Sequence, residues 1–154
     1  MSIKITEDIQ IFLNKFLLEY PNLDHLKNFK FEAWSFGNTK EMADDLGHLV
    51  LAGKKTATCS LLSAYRGFEN EIPQVGVYSV LCDGEDKPLC IIFLTETSIC
   101  KFKDISKQHA YEEGEGDRTL DYWKKVHRDF FSNYTDFTDE SDLVCERFKV
   151  SFKP

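Results

Sequence analysis

Leu49-Val50-Leu51-Ala52-Gly53-Lys54-Lys55-Thr56-Ala57-Thr58 is the stretch on which the fold reading turns. Just upstream, Met42, Leu46, Leu49 and Val50 recur at helical spacing and make one apolar face. Gly53 supplies the stop, because glycine enters the left-handed conformation that ends a helix at little steric cost. Lys54 and Lys55 then suit the negative end of that helix. Thr56 to Leu61 reads as an extended segment. Two lysines therefore stand at the mouth of a strand. A lysine in that place can bind anions or, if desolvated, act as a base. Thr58, three residues beyond Lys55, offers a hydroxyl to the same point.

Working outward, Asn38 with Glu41 three residues later spells a capping box for the helix that Gly53 ends. Phe29 to Phe36 reads as a strand closed by Gly37. At the N-terminal side, Thr6 is an N-cap with Glu7 and Asp8 in the first turn. Ile9, Phe12, Leu13, Phe16 and Leu17 form the stripe of that helix, and Tyr20-Pro21 ends it. Downstream, Leu62 to Phe68 is a short helical turn, and Val75 to Cys82 and Leu89 to Phe102 are strands around an Asp83-Gly84 turn. Ser106 to Glu113 and Thr119 to Asn133 are helices. The second carries Leu120, Trp123, Val126, His127 and Phe130 on one side.

The last strand is Leu143 to Phe152, where Val144, Phe148, Val150 and Phe152 share one parity and Glu146 falls among them. A carboxylate on an inward face must find partners or titrate at higher pH. Five or six strands with helices inserted irregularly point to an α+β fold, a small and partly closed β-barrel with inserted and flanking helices. Residues 1–28 read as an N-terminal helical extension packed on the domain formed by 29–154.

The chain of 154 residues is long enough for one domain with a proper core. Its net charge of −7 sets any nucleic-acid contact on a local patch of an acidic body. Lys54, Lys55, Lys101, Lys103, Lys107, Lys124, Lys125 and Arg128 are the candidates for such a patch. Five cysteines without a C-x-x-C pair are expected to be buried and reduced. Met1 leads into an amphipathic helix, and no apolar run approaches the ~20 residues of a membrane span. A soluble, cytoplasmic protein without membrane contact is the expectation, as a monomer or a homodimer. The four histidines show no H-E-x-x-H pair, so no metal is expected. A P-loop and a dinucleotide fingerprint are both absent, so no cofactor is expected either.

A second signal lies in His109-Ala110-Tyr111-Glu112-Glu113-Gly114-Glu115-Gly116-Asp117-Arg118, where four carboxylates crowd a turn between glycines. With Ala33-Trp34-Ser35-Phe36-Gly37, Leu49 to Thr58, Pro73-Gln74-Val75-Gly76, Trp123 with His127, and Glu146-Arg147-Phe148, it resembles the ASCH domain family. That family has a barrel similar to the PUA domain of RNA-modifying enzymes, and this chain looks most like its longer bacterial, YhfF-like branch. The resemblance implies an RNA-binding or nucleotide-binding cleft beside the Gly-x-Lys motif. One compact bacterial group hydrolyses amides of the N4-acylcytidine type with a lysine, a threonine and a glutamate, which correspond to Lys55, Thr58 and Glu113. Another member is a ribonuclease. The signature Gly-x-Lys-x-x-Glu-x-Arg is partly kept, with Thr58 in its glutamate position and Ser60 in its arginine position.

Two schemes fit an amidohydrolase of this kind. Thr58 is the nucleophile and Lys55 its base, or Lys55 stays charged while Glu113 activates water. Lys54, Trp34, Tyr65, Asp117 and Arg118 are the expected ligand-binding residues. Trp34, Phe36 and Tyr65 offer faces on which a base could stack. The expected partner is a small nucleoside-like ligand or single-stranded RNA, and the alternative to an enzyme is a non-catalytic RNA-binding regulatory module.

Overall fold

The structure, a computed structural model, describes residues 2–154; Met1, where the reading of the N-terminal lead-in begins, lies outside them. Among the described residues five strands and four α-helices make a mixed α+β fold. The strands are β1 (Glu32–Trp34), β2 (Ala57–Leu61), β3 (Tyr78–Cys82), β4 (Pro88–Lys101) and β5 (Asp142–Phe152). The helices are α1 (Glu7–Glu19), α2 (Lys40–Leu51), α3 (Lys107–Glu113) and α4 (Leu120–Phe131). The strands follow the hydrogen-bonded order β1-β3-β4-β5-β2. β1 runs parallel to β3, whereas β3 with β4 and β2 with β5 are antiparallel. The chain divides into two compact units.

One unit comprises the chain through Leu51, Val77–Phe93 and Lys149–Pro154. α1 begins where the Thr6 hydroxyl accepts from the Ile9 N–H at 3.3 Å. Its stripe of Ile9, Phe12, Leu13 and Phe16 is buried against Phe31, Ala33, Val80, Cys82 and Ile91. Each such side chain contributes about 1.5–3 kcal/mol on leaving water. α2 departs from the sequence reading at its start. The Thr39 hydroxyl accepts from the Met42 N–H at 3.1 Å, so Thr39 and not Asn38 caps the helix. With the cap one residue later, Glu41 stands at the second helical position and cannot close the expected box. β1 is also shorter than the expected 29–36, because Phe29 still bonds back to the Leu26 carbonyl in a turn.

The other unit comprises Ala52–Gly76 and Leu94–Phe148. β2 and β5 pair with Ala57 opposite Arg147, Thr58 opposite Glu146 and Cys59 opposite Cys145. α3 and α4 start at hydroxyl caps, Ser106 bonding the His109 N–H and Thr119 the Tyr122 N–H. The core combines Leu61, Leu143 and Cys145 from the strands with Phe102, Ile105, Ala110, Trp123 and Phe131. All five cysteines of the chain are free thiols. Burial pushes those of Cys82, Cys90 and Cys145 up to about 12, which leaves them unreactive near neutral pH.

Candidate functional site

Gly114 brings Lys55 to Glu113. α3 ends there on a left-handed residue with φ of 74°, and a Cβ at that position would lie 2.3 Å from the Lys54 carbonyl oxygen. Only glycine permits both the turn and the close approach. The Thr56 N–H donates to the Glu112 carbonyl at 2.8 Å, and Arg118 donates to the Lys54 carbonyl at 3.1 Å and the Tyr111 carbonyl at 3.0 Å. The Arg118 guanidinium also lies 3.7 Å from the centre of the Tyr111 ring. The entry to β2 is thereby pinned to the end of α3. Lys55, turned inward, is only 1% exposed. Its Nζ donates to Glu113 Oε1 at 3.3 Å, to the Glu113 carbonyl at 3.4 Å and to Glu115 Oε2 at 3.2 Å.

Glu113, also 1% exposed, is the hub. Its Oε2 accepts from Trp123 Nε1 at 2.8 Å and lies 2.6 Å from His109 Nε2, while Oε1 lies 3.2 Å from His127 Nε2. The other ring nitrogen of His127 is 2.8 Å from the Trp123 carbonyl, which can only accept, so Nδ1 carries a proton. The His127 ring stacks on Trp123 with centroids 4.1 Å apart. Burial works against a charge on each of these groups, but their partners outweigh it. Lys55 and the His109 and His127 N–H groups hold Glu113 well below the usual carboxylate range. Glu113 and Glu115 raise Lys55. The hydrogen bond and charge of Glu113 raise His127. The result is a dry cluster of opposed charges.

This geometry favours neither of the two hydrolase schemes. A lysine whose ammonium form is favoured is a poor base for Thr58. A carboxylate held so far down, with its oxygens already hydrogen-bonded, is a weak base for water. Lys55 and Glu113 are brought together as charges, and Thr58 is placed elsewhere. Strand alternation sets Thr58 and Ser60 on the face of β2 opposite Ala57, Cys59 and Leu61, and it is Cys59 whose sulfur lies near His109 and Glu113.

Register puts Glu146 directly across from Thr58, with both side chains on one face. Tyr65 joins that face through a 3.1 Å hydroxyl bond to Ser60. Glu146 is half-buried, and no hydrogen bond to its carboxylate is found among the described residues. Burial, helped by the charge of Glu113 and opposed by Lys55, pushes it up to about 7. The sequence marks Glu146 by its parity, yet not as a ligand-binding residue.

The remaining expected residues have local roles. Lys54 is exposed and gives its carbonyl to Arg118. Asp117 accepts from the Thr119 N–H and hydroxyl at 3.0 and 2.7 Å, which shapes the lead into α4. Trp34 belongs to the first unit, where it donates to Ser79 at 3.1 Å and meets Phe36 edge-on. Glu115, His109, His127 and Trp123 were not expected as site residues. The i, i+4 spacing of Trp123 and His127 is the signal for their stack, and that of His109 and Glu113 for their bond.

Among the described residues two groups of side chains have donor atoms close enough for a metal ion: Cys59, His109 and Glu113, and Glu113, Glu115 and His127. The Lys55 ammonium bonds two of the second group and supplies the positive charge there. A hollow of about 580 Å³ lies beside Tyr65 and Arg66, walled also by Leu62, Ile72 and Ser141. That volume falls within the usual ~300–1,000 Å³ of small-molecule sites.

Comparison with known proteins bears on the family and the fold. The chain is similar to an ASCH domain of Lactobacillus crispatus JV V101, at 35% identity and a TM-score of 0.87, with 94% of each chain covered. It is also similar to a protein of Enterococcus faecalis V583, at 34% identity and a TM-score of 0.80, over 94% of this chain and 93% of that one. No curated protein matches. The family model of the ASCH domain matches residues 32–151, so the chain belongs to the ASCH domain family.

Proposed function

We propose that this chain recognises a nucleobase or nucleoside-like ligand beside the Gly53–Thr58 segment, on the β2–β5 face that carries Thr58, Ser60, Tyr65 and Glu146. The supporting observation is the dry Lys55–Glu113 cluster three residues ahead of Thr58. Charges fixed away from water exert a stronger field on their surroundings than solvated ones, and perturbed titratable groups concentrate at functional sites. The face itself offers one aromatic ring and three hydroxyls. Stacking on such a ring contributes ~1–3 kcal/mol per base.

Hydrolysis of an amide such as an N4-acylated cytidine is the sharper form of this reading. Water would add to the acyl carbon and the C–N bond would break, releasing a carboxylic acid and the free amine. Thr58 is then the residue that touches the acyl group, and Lys55 with Glu113 position the strand and its field. Single-stranded RNA is the other partner that the resemblance implies. Lys101, Lys103 and Arg128 are paired with Asp142, Glu140 and Asp139, which favours an uncharged ligand over a phosphate backbone.

The test is incubation with N4-acetylcytidine, with cytidine release followed by chromatography and binding by calorimetry. Release lost in Thr58→Ala and retained in part by Thr58→Ser supports hydrolysis. Binding without release supports recognition alone. Neither binding nor release of N4-acetylcytidine or cytidine overturns the reading.

A further inference from the structure

We infer that Glu146 selects the ligand, pairing through its carboxyl with an edge that sets a hydrogen-bond donor beside an acceptor, the amide or amidine edge of a cytosine-type ring. The inference rests on the proposed recognition of a nucleobase-like ligand and specifies its chemical class.

Three observations carry it. Glu146 sits at the register position opposite Thr58, on the face that also presents Ser60 and the Tyr65 hydroxyl. It is half-buried, between the core residue Cys145 and the ion-paired Arg147, and its carboxylate takes no hydrogen bond from a described residue. No buried side-chain polar atom among the described residues lacks a partner, so the unbonded carboxylate oxygens of Glu146 reach the surface, where a ligand can meet them. The surrounding charges also discriminate. Glu113 from the end of α3 and Glu96 from β4 are acidic, and Arg147 is committed to Glu96 and Glu112. A phosphate or carboxylate ligand would meet these charges unfavourably, whereas a neutral ring would not.

A protonated carboxyl donates through its O–H and accepts through its carbonyl oxygen, which matches an adjacent acceptor and donor on a ring. The ionised form only accepts, and it loses one of the two bonds. Glu146 titrates near 7, so this match weakens as the pH rises through neutrality. The titratable groups around it are Lys55 ahead of β2, Tyr65 after it, Glu113 and His109 from α3, Glu96 from β4 and Asp104 after β4.

Glutamine is the neutral donor–acceptor counterpart of a protonated glutamate, which makes the test direct. Cytidine binding is measured by calorimetry at pH 6 and pH 8 for the native protein, Glu146→Gln and Glu146→Ala. Native affinity should fall about tenfold between the two pH values, following the protonated fraction of a group near 7. Glu146→Gln should keep the pH 6 affinity at both, and Glu146→Ala should bind weakly at both. Native binding that ignores both pH and the alanine substitution overturns the inference and leaves recognition standing. A pH dependence that persists in Glu146→Gln belongs to another group and also overturns the inference. Failure of the native protein to bind cytidine at either pH removes the recognition reading and this inference with it.

Discussion

Glu146→Gln should stabilise the protein at pH 8 and do little at pH 4. Burial and the Glu113 charge push Glu146 up to about 7 from an ordinary value of 4.5. Because the folded value is the higher one, the native state binds the extra proton between these two pH values. The favourable contribution is complete below 4.5 and disappears as the pH rises through 7. Above 7 the folded protein carries a half-buried carboxylate that the unfolded chain would hydrate freely. At 1.36 kcal/mol per pH unit the gap is worth roughly 3 kcal/mol, an upper figure because the side chain partly reaches solvent. Glutamine removes this cost with nearly the same shape. Chemical denaturation at pH 4, 6 and 8 reads it out as the difference between variant and native protein, which cancels the parallel contribution of His127. For a chain of this size, ~3 kcal/mol corresponds to ~6–12 °C in melting temperature at pH 8. A variant that is no more stable than the native protein at pH 8 would refute the reasoning, since it would mean that Glu146 is ionised and well solvated.

Lys55→Met should cost about 3–5 kcal/mol, the usual result of leaving a buried partner charge uncompensated. A loss below ~1 kcal/mol in urea unfolding would mark the pair as no better than a surface bridge. Gly114→Ala forces an L side chain into a left-handed residue and against the Lys54 carbonyl, so it should cost more than ~1 kcal/mol and expose Lys55; unchanged lysine protection in hydrogen-exchange or acylation assays would contradict that. His127 should titrate above a free histidine in NMR, and its contribution to stability, complete below ~6.5, should decline as the pH rises through the folded value. A value at or below that of a free histidine would remove the imidazolium from the cluster.

Local signals were the legible ones. The N-cap at Thr6 is set by residues within one turn, and the helices expected to start at Ser106 and Thr119 have those residues as their caps. The cap of α2 falls one residue past Asn38, since Asn38 and Thr39 are both good caps and only the backbone path after Gly37 chooses between them. Lys55 and Glu113 are 58 positions apart, so their meeting was implied by family resemblance and not by spacing. The placement of Thr58 away from that pair was hidden for another reason. The β2–β5 pairing begins at Ala57, and a period-of-two count cannot be extended back to Lys55, which lies before the strand. Glu146 was visible as a polar residue on an inward parity, because that count does apply within β5.

The two acids also explain each other. Glu113 stays ionised because an ammonium and three N–H groups surround it, and its charge is one of the forces that keep Glu146 protonated near neutral pH. Environments that drive two carboxylates apart in this way separate an acceptor from a potential donor within one small site. The dependence predicts an outcome that neither residue gives alone. Replacing the hub by Glu113→Gln removes the negative charge that opposes ionisation of Glu146 and leaves the Lys55 ammonium less well neutralised. Both changes favour the ionised form, so Glu146 should titrate below 7 in the variant, followed by the carboxyl carbon signal in NMR. The pH at which native cytidine binding weakens should move down with it. A Glu146 titration that stays in place or rises would show that burial alone sets it, and the Lys55–Glu113 cluster would then be a structural feature of the second unit with no bearing on the Thr58 face.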